Sequence, residues 1–331
     1  MRAATNDAPF QRDSFGFNPF RFDQRNLEVR YLTLSSLGLD VRIGQWRVES
    51  SNEQVVILPG RGDFLEKYTP LATHLNAAGY SVTSLDWPGQ GASGRLGRHP
   101  QAGHITSYGA YVDALYGCLV EMDLAAQPMR WLAYSMGAPI ALRALLTHRY
   151  DVSKLALLSP AFGFAGPPEG FVRVLSNIAN TFVSRRFALG EAPTDPAMWR
   201  LEQSQVSSGA AAFEAFKSVL LAHPHLLLGG STWGWVGASL EVFRDLRRAD
   251  LSKLQVPVLL LSAQDERTVS VDAQKRTVQR LPNAEFVSIP GKHDSLLSQR
   301  EVVRELFRRV EGFFEETPRE DADLKTRLGQ V

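Results

Sequence analysis

Three residues could together make a nucleophile work: Ser135 in WLAYSMG (131–137), Asp265 in SAQDERTVS (262–270) and His293 in GKHDSLLSQ (291–299). A serine hydroxyl attacks a carbonyl only when a base within hydrogen-bond reach takes its proton and an acid orients that base. Ser135 ends an apolar run, and a helical run, APIALRALL, follows at 138. That pattern reads as a strand, a sharp turn and a helix, with the hydroxyl presented at the turn. The turn demands small residues two before and two after the serine, here Ala133 and Gly137. Alanine departs from the G-x-S-x-G form but is the smallest alternative to glycine. Taken alone, such a serine is more often a helix cap than a nucleophile.

The partners supply the chemistry. Asp265 lies just past the apolar run VPVLLLS, and His293 just past EFVSIP. Both therefore reach the edge that carries Ser135, in the chain order serine, acid, histidine. Asp265 is favoured as the acid because it lies nearest the strand end; Glu266 and Asp272 remain alternatives. His74, His99, His148, His223 and His225 lack this placement, and His104 opens a helix from which it could line the site. The HPH of 223–225 has no accompanying carboxylate or cysteine pattern, so no metal site is expected. Stabilising an oxyanion takes two backbone N–H groups. One is assigned to Met136, after the nucleophile. The other is assigned to Arg61 in PGRGDF (59–64), where Gly60 and Gly62 allow close approach. PGRG also reads as an ordinary turn. The loop DWPGQGASG (86–94) lacks a phosphate-binding pattern.

Strands and helices must bring these segments together. LEVRYLTL (27–34) and LDVRIGQWRV (39–48) alternate at period two, which predicts an antiparallel pair at a sheet edge. Six denser apolar runs, at 54–59, 80–86, 130–135, 154–159, 256–262 and 285–290, predict central parallel strands. Helical patterns at 64–79, 105–122, 138–149, 271–281 and 298–314 alternate with them. The result is an α/β fold with a mostly parallel central sheet flanked by helices. The alternation breaks near 160–250, which reads as a mainly helical insertion. The expected organisation is an N-terminal arm at 1–26, a first core part at 27–160, a helical cap at 161–250, a second core part at 251–317 and a C-terminal tail at 318–331.

Composition excludes several other classes. A net charge of +1 over 331 residues gives no electrostatic case for nucleic acid. A single cysteine, Cys118, excludes an internal disulfide and argues against a cysteine-rich zinc site. The N-terminal stretch has no apolar segment of signal-peptide length, and no window is long and apolar enough for a membrane helix. The expectation is a cytoplasmic protein that needs no cofactor, with peripheral membrane contact left open.

At these residues the chain resembles the α/β-hydrolase superfamily, and within it the monoacylglycerol lipase and bacterial lysophospholipase group. The segments PGRGDFLEKYTPLATHLNAAGY, SVTSLDWPGQGASGR, GHITSYGAYVDAL, AYSMGAPIA, SAQDERTVS and GKHDSLLSQ carry the resemblance, over roughly residues 25–315. It implies an α/β-hydrolase fold with a helical cap, Ser135 as nucleophile, Asp265 as acid, His293 as base, and Arg61 and Met136 as oxyanion donors. It implies a small-molecule ester or lipid substrate with an apolar acyl chain, cleaved through an acyl-enzyme. Two departures bear on the substrate. Monoacylglycerol lipases usually start the oxyanion loop with His-Gly, where this chain has Pro59-Gly60, and they tend to have histidine where this chain has Tyr134. The insertion's GGSTWGWVGASLE (229–241) is similar to the bacterial group, and Trp233 and Trp235 there either wall an acyl pocket or simply pack the cap. Two rival readings remain: a peptidase or C–C bond hydrolase using the same triad, and a ligand-binding protein that has kept the fold without catalysis.

Overall fold

One eight-stranded sheet organises the chain. The computed structural model describes residues 20–49 and 51–316. Most of the expected N-terminal arm, residue 50, residue 317 and the whole expected tail at 318–331 lie outside that range. The strands are β1 (Glu28–Leu34), β2 (Leu39–Trp46), β3 (Gln54–Leu58), β4 (Ser81–Leu85), β5 (Met129–Tyr134), β6 (Val152–Leu158), β7 (Val258–Ala263) and β8 (Ala284–Ile289). Their order across the sheet is β1-β2-β4-β3-β5-β6-β7-β8. β1 and β2 form the antiparallel pair at one edge, β2 joins β4 antiparallel, and β4, β3, β5, β6, β7 and β8 run parallel.

The sheet separates two cores, and the period-two alternation of side chains explains the division. Val56, Leu58, Trp131, Ala133, Leu155 and Leu157 face one cluster, packed beneath α2 (Gly109–Glu121), α3 (Gly137–Thr147) and α6 (Trp233–Arg248). Val55, Ile57, Leu132, Tyr134, Ala156 and Leu158 face the other, under α1 (Thr69–Ala77) and α8 (Arg300–Glu315). Strands buried on both faces must be apolar at nearly every position, as QVVIL of β3 is. The remaining core helix is α7 (Val271–Val278). Cys118 sits in α2, fully buried, where it acts as a small apolar residue.

The insertion between β6 and β7 contains α4 (Glu169–Val183), α5 (Ala210–Ala222) and α6, joined by turns. No named strand falls in it, although its loops make isolated bridges such as Gly103↔Ser231 and Phe187↔Thr232. α6 starts at Thr232, whose hydroxyl accepts from the Trp235 N–H, so its first turn is capped. No described helix is long and apolar enough to cross a membrane.

Candidate active site

β5 delivers Ser135 onto a turn that ordinary residues avoid. Its φ is +48°, in the left-handed region, and the turn is held from both sides. The Ser135 N–H donates to the Leu158 carbonyl at 2.9 Å, and its own carbonyl accepts from Ala138 and Ala161. The need for small flanking residues is visible in the packing. A Cβ added at Gly137 would press into the Leu58 carbonyl at the end of β3. Ala133 is completely buried, and its methyl group is accommodated.

His293, on the loop after β8, meets the serine. Its Nε2 lies 2.9 Å from Ser135 Oγ, and its Nδ1 lies 2.7 Å from Glu266 Oε2. An ionised carboxylate only accepts hydrogen bonds, so Nδ1 carries the proton and Nε2 is left to accept from the serine. The second Glu266 oxygen accepts from the N–H groups of Thr268 at 2.8 Å and Val269 at 3.2 Å. Burial pushes the Glu266 carboxyl upward. The His293 hydrogen bond and charge, together with those two N–H groups, outweigh it and hold the group below the usual carboxylate range.

This corrects the expected placement of Asp265: the carboxylate that meets His293 is Glu266. Pairing with the β8 side continues past the end of β7: the Gln264 N–H reaches the Ile289 carbonyl at 2.9 Å, and the Asp265 N–H reaches Gly291 at 3.0 Å. Gln264 and Asp265 form a turn there, and Glu266 leaves it toward the histidine. Asp265 is exposed, and the Glu266 side chain is fully buried against the histidine. Asp272, the other alternative, is exposed on the first turn of α7. His104 makes a 2.8 Å hydrogen bond to the Thr232 hydroxyl, and its role is to tie the chain ahead of α2 to the start of α6.

The loop after β3 prepares one free donor. The Gly60 N–H is taken by Asp63 Oδ2 at 2.9 Å, and the Gly62 N–H by Gln90 Oε1 at 2.7 Å. Between them, the Arg61 N–H donates to no acceptor among the described residues, and neither does the Met136 N–H. Gly60 has no room for a side chain, because a Cβ there would meet the Tyr134 ring at 2.7 Å. Gln90 also places its amide 3.2 Å from the Tyr111 hydroxyl and 3.7 Å from Met136 Sδ, so one buried side chain touches both segments that carry free N–H groups.

Beneath this loop is an ionic group that sequence reading missed. Lys67 Nζ donates to Asp63 at 2.6 Å and to Asp294 at 2.7 Å, and the Tyr68 hydroxyl donates to Asp63 at 2.7 Å. Burial would lower the Lys67 pKa, but the Asp294 and Asp63 charges raise it above its ordinary value. Asp294 is pushed upward, first by burial and then by Asp63, despite its lysine partner. The cluster fastens the loop of residues 60–63 to the residue that follows His293. Lys67 stands in a helix-like run, where a lysine ordinarily reads as solvated, so no local signal marks it as buried.

Ser135 and His293 open into a cavity of about 540 Å³, also lined by Arg61, Met136, Tyr134 and Trp235. Phe164, Phe213 and Phe216 add apolar wall. The Tyr134 ring lies 5.6 Å from the His293 ring. Of the two tryptophans expected there, Trp235 lines the cavity and Trp233 is not among its lining residues. Both sit in the first turn of α6, and residues two apart on a helix do not share a face. Among the described residues, no group of three or more His, Cys, Asp or Glu side chains is arranged to hold a metal ion.

Known proteins are similar to this chain in sequence and in fold. The family described as Serine aminopeptidase, S33 (Hydrolase_4) matches residues 49–300. Lysophospholipase L2 of Escherichia coli K12 is 31% identical over 240 residues, covering 70% of this chain and 68% of that protein. Probable lysophospholipase L2 of Haemophilus influenzae is 26% identical over 265 residues, covering 78% and 82%. A soluble variant of monoglyceride lipase from Saccharomyces cerevisiae superposes with a TM-score of 0.69 at 17% identity, covering 90% of this chain and 98% of that one. At that identity, the superposition speaks for the fold. The elbow, the histidine loop and the two relatives agree: the chain belongs to the Serine aminopeptidase, S33 (Hydrolase_4) family of α/β-hydrolases and is a carboxylic ester hydrolase.

Proposed function

We propose that the protein cleaves carboxylic esters of monoacyl lipids, of the monoacylglycerol or lysophospholipid type, through an acyl-enzyme. The observation that carries this reading is the chain Ser135 Oγ–His293 Nε2–Glu266, with its 2.9 and 2.7 Å links, at the wall of an apolar cavity. Ser135 Oγ attacks the ester carbonyl carbon while His293 Nε2 takes its proton. Glu266 stabilises the imidazolium that forms. The Arg61 and Met136 N–H groups donate to the developing oxyanion. The tetrahedral species collapses, the C–O bond to the alcohol breaks, and His293 returns the proton to the departing oxygen. Water, deprotonated by His293, then adds to the acyl-enzyme, the bond from the acyl carbon to Ser135 Oγ breaks, and His293 returns the proton to Oγ as the acid leaves. Residues 161–250 act as the cap over the cavity, and the apolar wall of Trp235 and Phe164 receives the acyl chain. The names of the relatives in E. coli and H. influenzae favour a lysophospholipid.

A fluorophosphonate probe tests the mechanism. An adduct is expected on Ser135, absent in Ser135→Ala, with turnover of acyl esters lost alongside it. A folded native protein that takes no adduct and cleaves no p-nitrophenyl acyl ester of any chain length would sink the reading.

A lipid surface is the proposed source of substrate. Phe171, Val174, Ile178 and Phe182 form one exposed stripe on α4, at three- and four-residue spacing, with Phe182 81% exposed. Arg173, Arg185 and Arg186 beside it are also exposed, which suits an anionic membrane. Ile178→Asp combined with Phe182→Asp is expected to abolish co-flotation with phosphatidylglycerol vesicles. Unchanged flotation would place membrane contact elsewhere, and loss of a dimer in the variant would reassign the stripe to self-association.

A further inference from the structure

The Arg61 guanidinium has no direct ion-pair partner among the described residues. Its Nη2 donates to the Gly229 carbonyl at 2.7 Å, and the group lies 5.0 Å from the centre of the Trp235 ring. Its Nε is buried without an acceptor, and Nη1 has none among the described residues. No described carboxylate approaches within 4.0 Å. Glu191 is the acid that acts on it, and one Glu191 oxygen is already engaged by the Ser231 N–H at 2.7 Å. Taking a cation out of water is costly unless an anion or several acceptors compensate. Burial accordingly depresses the Arg61 pKa, with Glu191 offsetting only part of that effect. The link to Gly229 fastens the loop to the insertion, but it uses one of five N–H donors.

We propose that the Arg61 side chain is an anion subsite that takes the phosphate of a monoacyl lipid while its ester lies at Ser135. The inference rests on the ester-hydrolase reading above and narrows its substrate class. Three features support it. Arg61 lines the same cavity as Ser135 and Met136. Its backbone N–H is the oxyanion donor, so its side chain starts at the carbonyl end of the substrate. A glycerol unit between ester and phosphate has about the reach of an arginine side chain. The planar guanidinium also matches phosphate oxygens better than a point charge does.

The test compares a 1-acylglycerol with its 3-phosphate, of equal chain length and at equal surface concentration in neutral detergent micelles. The native protein, Arg61→Met and Arg61→Lys are assayed, with melting curves to establish that each is folded. Disturbing the loop lowers both rates by a common factor, so the readout is the ratio of kcat/KM values. The native protein is expected to prefer the phosphate by about ten- to a hundredfold, the scale of one charge-assisted contact. Arg61→Met should bring the ratio near one, and Arg61→Lys should keep part of it. An equal ratio in native and Arg61→Met, or a native preference for the neutral lipid, overturns the proposal. Competitive inhibition by free inorganic phosphate, without any preference for the phosphate lipid, assigns the subsite to a free anion and overturns the lipid assignment. Failure on both lipids with Ser135 still labelled removes the proposal and leaves the hydrolase standing. Loss of labelling in the native protein removes both.

Discussion

Glu266→Gln is expected to lower kcat on an acyl ester by about three to four orders of magnitude, with little change in KM. Glutamine keeps the volume and can hydrogen-bond Nδ1, but it carries no charge to stabilise the imidazolium. Its amide can also hold the histidine in the wrong tautomer, with Nε2 protonated and unable to take the serine proton. Asp265→Asn is expected to leave kcat within a few-fold of native, because that side chain is exposed and makes no hydrogen bond to the histidine. Steady-state kinetics on the two variants decides between them. Activity that survives Glu266→Gln and collapses in Asp265→Asn would restore the acid read from the sequence.

The second large effect concerns stability. Lys67→Met is expected to cost about 3–5 kcal/mol, because it leaves Asp63 and Asp294 buried and facing one another without their cation. The sign of the pH dependence follows from the carboxyls. Removing the lysine pushes the folded-state pKa of Asp294 further up than burial and Asp63 already do. A carboxyl whose folded pKa lies above its unfolded value binds more protons in the folded state. Its contribution is most favourable below the unfolded pKa and is lost as pH rises through the folded one. The variant should therefore lose most stability at neutral pH and recover part of it in mildly acidic buffer. Urea titrations at the two pH values measure this. A loss that is equal at both, or absent, would mean that the aspartates find other partners.

The sheet and its helices were legible because most central strands are buried on both faces and so read as dense apolar runs. Ser135 and His293 were legible because strand ends locate them. The carboxylate that meets His293 was not, because the chain turns at Gln264 and Asp265, just past the end of β7. The hydrogen bonds that hold this turn reach Ile289 and Gly291, far along the chain, so its geometry has no local signature. Trp235 and Trp233 could not be separated before the start of α6 was known. Lys67 and Asp294 escaped for a related reason: a buried ion pair between residues 227 positions apart has no local periodicity.

The turn at Ser135 carries one more consequence. A side chain at φ +48° strains the backbone, and glycine would adopt that conformation without penalty. The chain would thus hold its shape more firmly without the one hydroxyl on which its chemistry depends. Stability and catalysis ask for different residues at the same position, and the hydrogen bonds to Leu158 and from Ala138 and Ala161 hold the turn around the less comfortable residue.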